Sequence, residues 1–230
     1  MDCDDDAGFI DEGEEITEAE PDSTEVVIHT GKVAVLAKIS REQYNTGSAA
    51  TLLSDSVRRA LVRKANVAYL AQAAPVGPAT TPPAGLLNLS PTDGGTVTEN
   101  LDAVADAITG IEAANGIATH IIASPSAFGS LLKLKTFTDS NVSLVGAGVE
   151  AAQRTLLSVP VLVSNAMTED TLLVLDAASV LSVYGQVQLA TSQDFYFDSD
   201  SIGLRATFRF GAKIADVERV VKLAVTDLGS

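Results

Sequence analysis

Few side chains in this 230-residue chain are placed to do chemistry, and their spacing limits what each could do. Gly146-Ala147-Gly148-Val149-Glu150-Ala151 matches G-x-G-x-x-A, follows the apolar run Val142 to Val145 and has Asp170 about twenty residues on, a pattern that can cradle a dinucleotide pyrophosphate. A parallel βαβ unit needs a crossover helix after such a turn, and the next apolar run begins by Leu156, which leaves no room for one. The motif reads as a glycine loop, and no cofactor is expected. Asp2-Cys3-Asp4-Asp5-Asp6 opens like a calcium loop, but Ala7 stands where the turn needs glycine and Gly13 where the bidentate glutamate belongs. His29 and His120 have no carboxylates at ligand spacing, and Cys3 is the sole cysteine, so no metal site and no internal disulfide are expected. No G-x-S-x-G, Walker loop or H-E-x-x-H occurs, and nothing selects a pair of carboxylates for acid–base work. No catalytic, cofactor-binding or metal-binding residue is assigned, and the chain is read as a non-enzyme. A small α/β nucleotide-binding enzyme built on the Gly146 loop is the remote alternative.

Charge is more informative. Residues Met1 to Gly31 hold twelve Asp and Glu and no Lys or Arg, so they supply -12 of a net -15 and leave the remainder at 18 acids against 15 bases. Such a segment has too little apolar side chain to bury and is expected to lie along a partner. Arg58, Arg59, Arg63 and Lys64 place four of the fifteen bases within seven positions. The bland reading of that cluster is a solvated helix face; the sharper one is a receptor for the acidic segment of a neighbouring copy. On that reading Asp11, Glu12, Glu14 and Glu15 are inter-subunit contact candidates together with Arg58, Arg59, Arg63 and Lys64. The nearly neutral remainder argues against a dedicated nucleic-acid binder, whose affinity comes from Lys and Arg displacing counterions. No apolar run reaches the roughly 18 residues of a membrane span, and no membrane partner is expected.

The elements that must position these residues follow from periodicity. Thr24 to Thr30 and Lys32 to Ile39 read as two strands, the second with Val33, Val35, Ala37 and Ile39 on one face. After Thr46-Gly47-Ser48, Leu53, Val57, Leu61, Ala65 and Ala68 recur at helical spacing to about Gln72, a helix of about 37 Å. Pro75, Pro78, Pro82 and Pro83 with Gly77, Gly85, Gly94 and Gly95 predict an irregular loop. Asn100 to Ala114 reads as a helix with Leu101, Val104, Ala105, Ile108 and Ile111 on one side. Thr119 to Ala123 reads as a buried strand, and Ser124-Pro125 as the cap of a short helix over Ser126 to Leu134. Leu156 to Val163 and Thr171 to Leu175 read as strands. Ile202, Leu204, Ala206, Phe208, Phe210, Ala212 and Ile214 alternate with Gly203, Arg205, Thr207, Arg209, Gly211 and Lys213, which predicts one strand of about 43 Å.

This order of elements resembles the tailed-bacteriophage major capsid proteins of the Hong Kong 97 fold, shared with encapsulin shells. Ala7-Gly8-Phe9-Ile10-Asp11-Glu12-Gly13, then Ser23-Thr24-Glu25-Val26 and Lys32 to Glu42, resemble that family's extended loop descending into its peripheral domain. Ser48 to Gln72 is similar to the spine helix, Gly85-Leu86-Leu87 to the turn after it, and Val159-Pro160-Val161 with Ser164-Asn165 to a strand crossing the axial domain. The resemblance implies an α+β fold with a long spine helix, a long-stranded peripheral sheet and an inserted α/β axial domain. It implies an extended-loop remnant over 1–25, a peripheral domain over 26–97 and 186–230, and an axial domain over 98–185. The chain would open in the second half of the loop, without the family's N-terminal arm. With no Lys from Met1 to Gly31, the Lys–Asn isopeptide cross-link of some relatives is not expected. The implied function is that of a structural subunit, forming pentamers and hexamers of an icosahedral phage or prophage shell around packaged DNA. Its partners would be other copies of itself, with scaffold, portal or decoration proteins as further partners and no specific nucleic-acid binding. It would reside in the virion and assemble in the bacterial host cytoplasm. An encapsulin-like compartment shell is the alternative.

Overall fold

The computed structural model describes residues 12–13, 26–45, 49–135 and 154–226. Gly31–Ser40 forms β1, followed by the one-turn helix α1 (Arg41–Asn45) and the long helix α2 (Ala49–Ala71). Then come β2 (Thr92–Val97), α3 (Asp102–Ala113), β3 (His120–Ala123), α4 (Pro125–Lys133), β4 (Thr155–Leu156), β5 (Val159–Val163) and β6 (Thr171–Leu175). The chain closes with β7 (Val180–Tyr184), β8 (Gln188–Tyr196), β9 (Ser201–Ile214) and β10 (Val220–Val225).

The first sheet is organised by β9. One edge of β9 pairs antiparallel with β1, from Gly31 opposite Phe210 to Ser40 opposite Ser201. The other edge carries β8 and β7 end to end: Gln188 faces Thr207, Tyr184 faces Phe210 and Val180 faces Ile214. Residues 180–196 therefore form one ribbon with an irregularity between Tyr184 and Gln188, and the sheet is three ribbons wide. Period-two alternation sends Leu204, Ala206, Val33, Val35 and Ala37 to one face, where Val57 and Leu61 of α2 close a core. Leu61 is 1% exposed, and a buried leucine of this kind stabilises by roughly 1.5–3 kcal/mol. Among the described residues, the opposite face of this sheet carries no helix.

The second sheet runs β2-β10-β6-β3-β5-β4. One face of it packs against α3 and α4 through Val104, Ile111, Phe128 and Leu131. The other meets the C-terminal end of α2 through Leu70, Leu86, Leu87, Leu173, Leu175 and Ile214. β6 is buried along its whole length, which explains why Thr171-Leu172-Leu173-Val174-Leu175 is a continuous apolar run rather than an alternating one. The end of α2 is closed by a distant segment: the Gly85 amide donates to the Gln72 carbonyl at 2.8 Å, and Asn88 Nδ2 donates to the Ala71 and Gln72 carbonyls at 3.2 and 2.9 Å. These are the carbonyls a helix end leaves without partners.

Several expectations need correction. Residues 26–30 are not a strand; the backbone of His29 instead crosses Gly211, where any Cβ would collide with the His29 carbonyl oxygen. Leu156 to Val163 is a hairpin rather than one strand, because Leu157 and Ser158 take positive φ between β4 and β5. The breaker-rich stretch ends in a strand after all: β2 contains Gly94, seated against Val221 and Leu223 where a side chain would not fit, and Gly95 at φ 82°. In α3 it is Ala107, not Ala105, that is buried. β7, β8 and β10 lie outside the elements that periodicity predicts. The second sheet draws β2 and β10 from outside 98–185, while β7, inside that range, pairs with β9.

Candidate assembly surfaces

Among the described residues no group of His, Cys, Asp or Glu is arranged to hold a metal ion. The Gly146 loop, its preceding run Val142 to Val145 and the Asp2 to Asp6 segment lie outside the described residues. His29 is exposed and His120 half-buried in β3. Asp176 is a buried carboxylate, and its oxygens are taken by backbone amides: Oδ1 accepts from Ala178 at 3.0 Å and Oδ2 from Ile117 at 3.3 Å. That geometry fixes the turn between β6 and β7. No described helix is long and apolar enough to cross a membrane.

The features without a partner among the described residues are surfaces. The first is the outward side of α2. Because Val57, Leu61 and Ala65 turn inward, Arg58, Arg59, Arg63 and Lys64 are exposed. Arg58, Arg59 and Arg63 come together with Val62, Asn66 and Asn165 around a shallow groove of about 490 Å³. Lys64 faces a different groove, shared with Lys32, Pro83 and Arg209. None of the three arginines makes an ion pair with a described residue. Of their expected counter-charges, Glu12 is described and exposed, while Asp11, Glu14 and Glu15 lie outside the described residues.

Two further surfaces were not singled out from sequence. On the uncovered face of the first sheet, Lys32 sits opposite Arg209 and Leu36 opposite Arg205, with Lys38 and Lys213 further along the same side. Lys38 donates to Ser199 Oγ at 2.5 Å and lies 4.8 Å over the Tyr196 ring. The alternation in β1 and β9 already assigns these bases to one face each; only the pairing register unites them. The remaining surface is the ribbon of β7 and β8, where Tyr184, Leu189 and Phe195 are 76%, 56% and 65% exposed, followed by Phe197 at 89%. Weak periodicity hid this ribbon, since both of its faces are open to solvent.

A family model described as the phage capsid family matches residues 2–225. No curated protein sequence is a significant match. Among solved structures, one from Gordonia phage Cozz superposes with a TM-score of 0.72 at 16% identity, covering 96% of this chain and 78% of that one. The capsid of an empty GTA particle, computed with C5 symmetry, gives a TM-score of 0.74 at 16% identity over 96% of this chain and 80% of that one. A structure from Microbacterium phage Oxtober96 gives 0.68 at 13% identity, covering 86% and 73%.

Proposed function

Because the chain belongs to the phage capsid family, and so is a structural subunit of a phage capsid rather than an enzyme, we propose that it builds an icosahedral shell from pentamers and hexamers that encloses packaged DNA. The match of the family over residues 2–225 carries this reading. The GTA capsid with a similar fold was computed with C5 symmetry, which supports a ring of five as one of the capsomers. The subunit assembles in the bacterial host cytoplasm, with scaffold, portal and decoration proteins as further partners, and becomes part of the virion.

Within a capsomer the acidic segment of one copy, with Asp11, Glu12, Glu14 and Glu15, meets the α2 row of Arg58, Arg59, Arg63 and Lys64 of its neighbour. Three exposed arginines without an ion pair to a described residue support this contact. Charge complementarity of this kind sets register and partner choice more than affinity. The peripheral domain is built on the first sheet and α2, and the axial domain on the second sheet. A division drawn by sheets moves β2 and β10 to the axial domain and β7 to the peripheral one.

Native mass spectrometry tests the proposal. Species of five and six copies of the 23.8 kDa chain are expected. A chain that populates only monomers and dimers across the accessible concentration range would refute ring formation.

A further inference from the structure

No strand of the described residues lies on the outer edge of residues 180–196, because β7 and β8 both spend their inner edge on β9. Open edges of this length invite pairing with another chain, and proteins that keep them free protect them with charge, proline or cover. Among the described residues this one is met only near one end, where Arg41 Nη2 donates to the Gln193 carbonyl at 3.4 Å. From Leu181 to Phe197 there is no Lys, no Arg and no Pro, and Asp194 is the single charge. The opposite edge of the same sheet, β1, does carry Lys32 and Lys38.

Exposure points the same way. Leu181, Val183, Tyr184, Val187, Leu189, Phe195 and Phe197 are all large apolar side chains open to solvent. They are divided between the two faces, Tyr184 and Leu189 on the side of Phe210 and Ala206, Leu181 and Val183 on the side of Lys213 and Gly211, so a strand added at the edge would meet apolar side chains on both faces.

We propose that the β7–β8 edge pairs antiparallel with the same edge of a second copy about a two-fold axis. The proposal rests on the capsid reading for the identity of the partner. Charge selects this edge: an isologous contact sets a patch against itself, so a patch bearing one sign of charge repels its copy. The row of Arg58, Arg59 and Arg63 and the face of Lys32, Lys38, Arg205 and Arg209 both fail that requirement. The nearly uncharged edge satisfies it. An antiparallel pair centred between Gln188 and Ser192 also keeps the two Asp194 carboxylates about 13 Å or more apart at the usual strand rise. Rings close through head-to-tail contacts, whereas an isologous contact joins one ring to the next. The edge therefore belongs between capsomers rather than within them.

Single cysteines introduced in turn at positions 188–194 of a Cys3→Ser chain test this. Disulfide-linked dimers should form in assembled material and peak at one or two adjacent positions, the mark of a two-fold axis. Leu189→Lys, which adds a charge to an exposed position, should weaken the contact between rings at least ten-fold while rings still form. Particles that assemble with no cross-link at any of these positions would overturn the edge contact and leave the capsid reading standing. In chains given a second cysteine on β1, cross-links only between β8 and β1 would replace it with a head-to-tail contact. A chain that stays monomeric and uncross-linked would overturn both readings.

Discussion

Reversing the charge of Arg58, Arg59 and Arg63 together to glutamate should weaken association between subunits and leave the subunit itself folded. The three side chains are exposed on α2 and make no ion pair with a described residue, so the folded chain has little to lose. Surface substitutions of this sort usually stay within about 0.5 kcal/mol. The groove they line with Asn66 and Asn165 presents three positive charges to any neighbour. Each exposed ion pair contributes about 0.2–1 kcal/mol, and reversal exchanges that attraction for a repulsion of similar size. Over three positions the change is roughly 1–6 kcal/mol per contact, which at about 1.4 kcal/mol per factor of ten weakens association about ten-fold or more. Sedimentation velocity over a concentration series reads this directly, with thermal unfolding of the dissociated subunit as the control. Raising salt from about 0.1 M to 1 M shortens the screening length from about 10 Å to 3 Å, so the gap between parent and variant should narrow. Identical sedimentation of the two at low salt, with unchanged thermal stability, would refute the assignment of α2 as the receiving surface.

Four further substitutions test the architecture, each read by denaturant unfolding of the dissociated subunit. Leu61→Ala should cost about 2–5 kcal/mol, because Leu61 is almost fully buried between α2 and β9. Gly85→Ala should cost about 1–3 kcal/mol, since its Cβ would lie 2.6–2.8 Å from the backbone of Leu70, Ala71 and Gln72, and Asn88→Ala about 1 kcal/mol for the lost carbonyl partners. Arg41→Ala should cost under about 1 kcal/mol despite a 2.7 Å contact to Asp200, because both side chains are substantially exposed.

Elements with a single buried face were legible from sequence, because one apolar stripe leaves one period. α2 occupies Ala49–Ala71 against an expected span ending near Gln72, and β9 covers Ser201–Ile214 as its alternation required. Ser124 caps α4 as expected, accepting from the Ala127 amide at 3.1 Å. Elements whose environment comes from elsewhere were not legible. β8 is exposed on both faces and so shows no period, and β2 holds two glycines that only the packing of Val221 and Leu223 explains. Residues 26–30 are rich enough in β-branched side chains for a strand, but they leave the sheet edge at Gly211. Of the surfaces, the α2 row was visible as a cluster in sequence. The basic sheet face required the register of β1 on β9, and the apolar edge required knowing that β7 and β8 lie in line.

This chain is expected to build a shell. Negative-stain electron microscopy of the purified chain, set beside its size-exclusion profile, tests it most directly. Closed shells or rings of five and six subunits, eluting far ahead of a 23.8 kDa monomer, are the expected result. A well-folded chain that elutes as a monomer at every concentration and shows no rings or shells on the grid would contradict it.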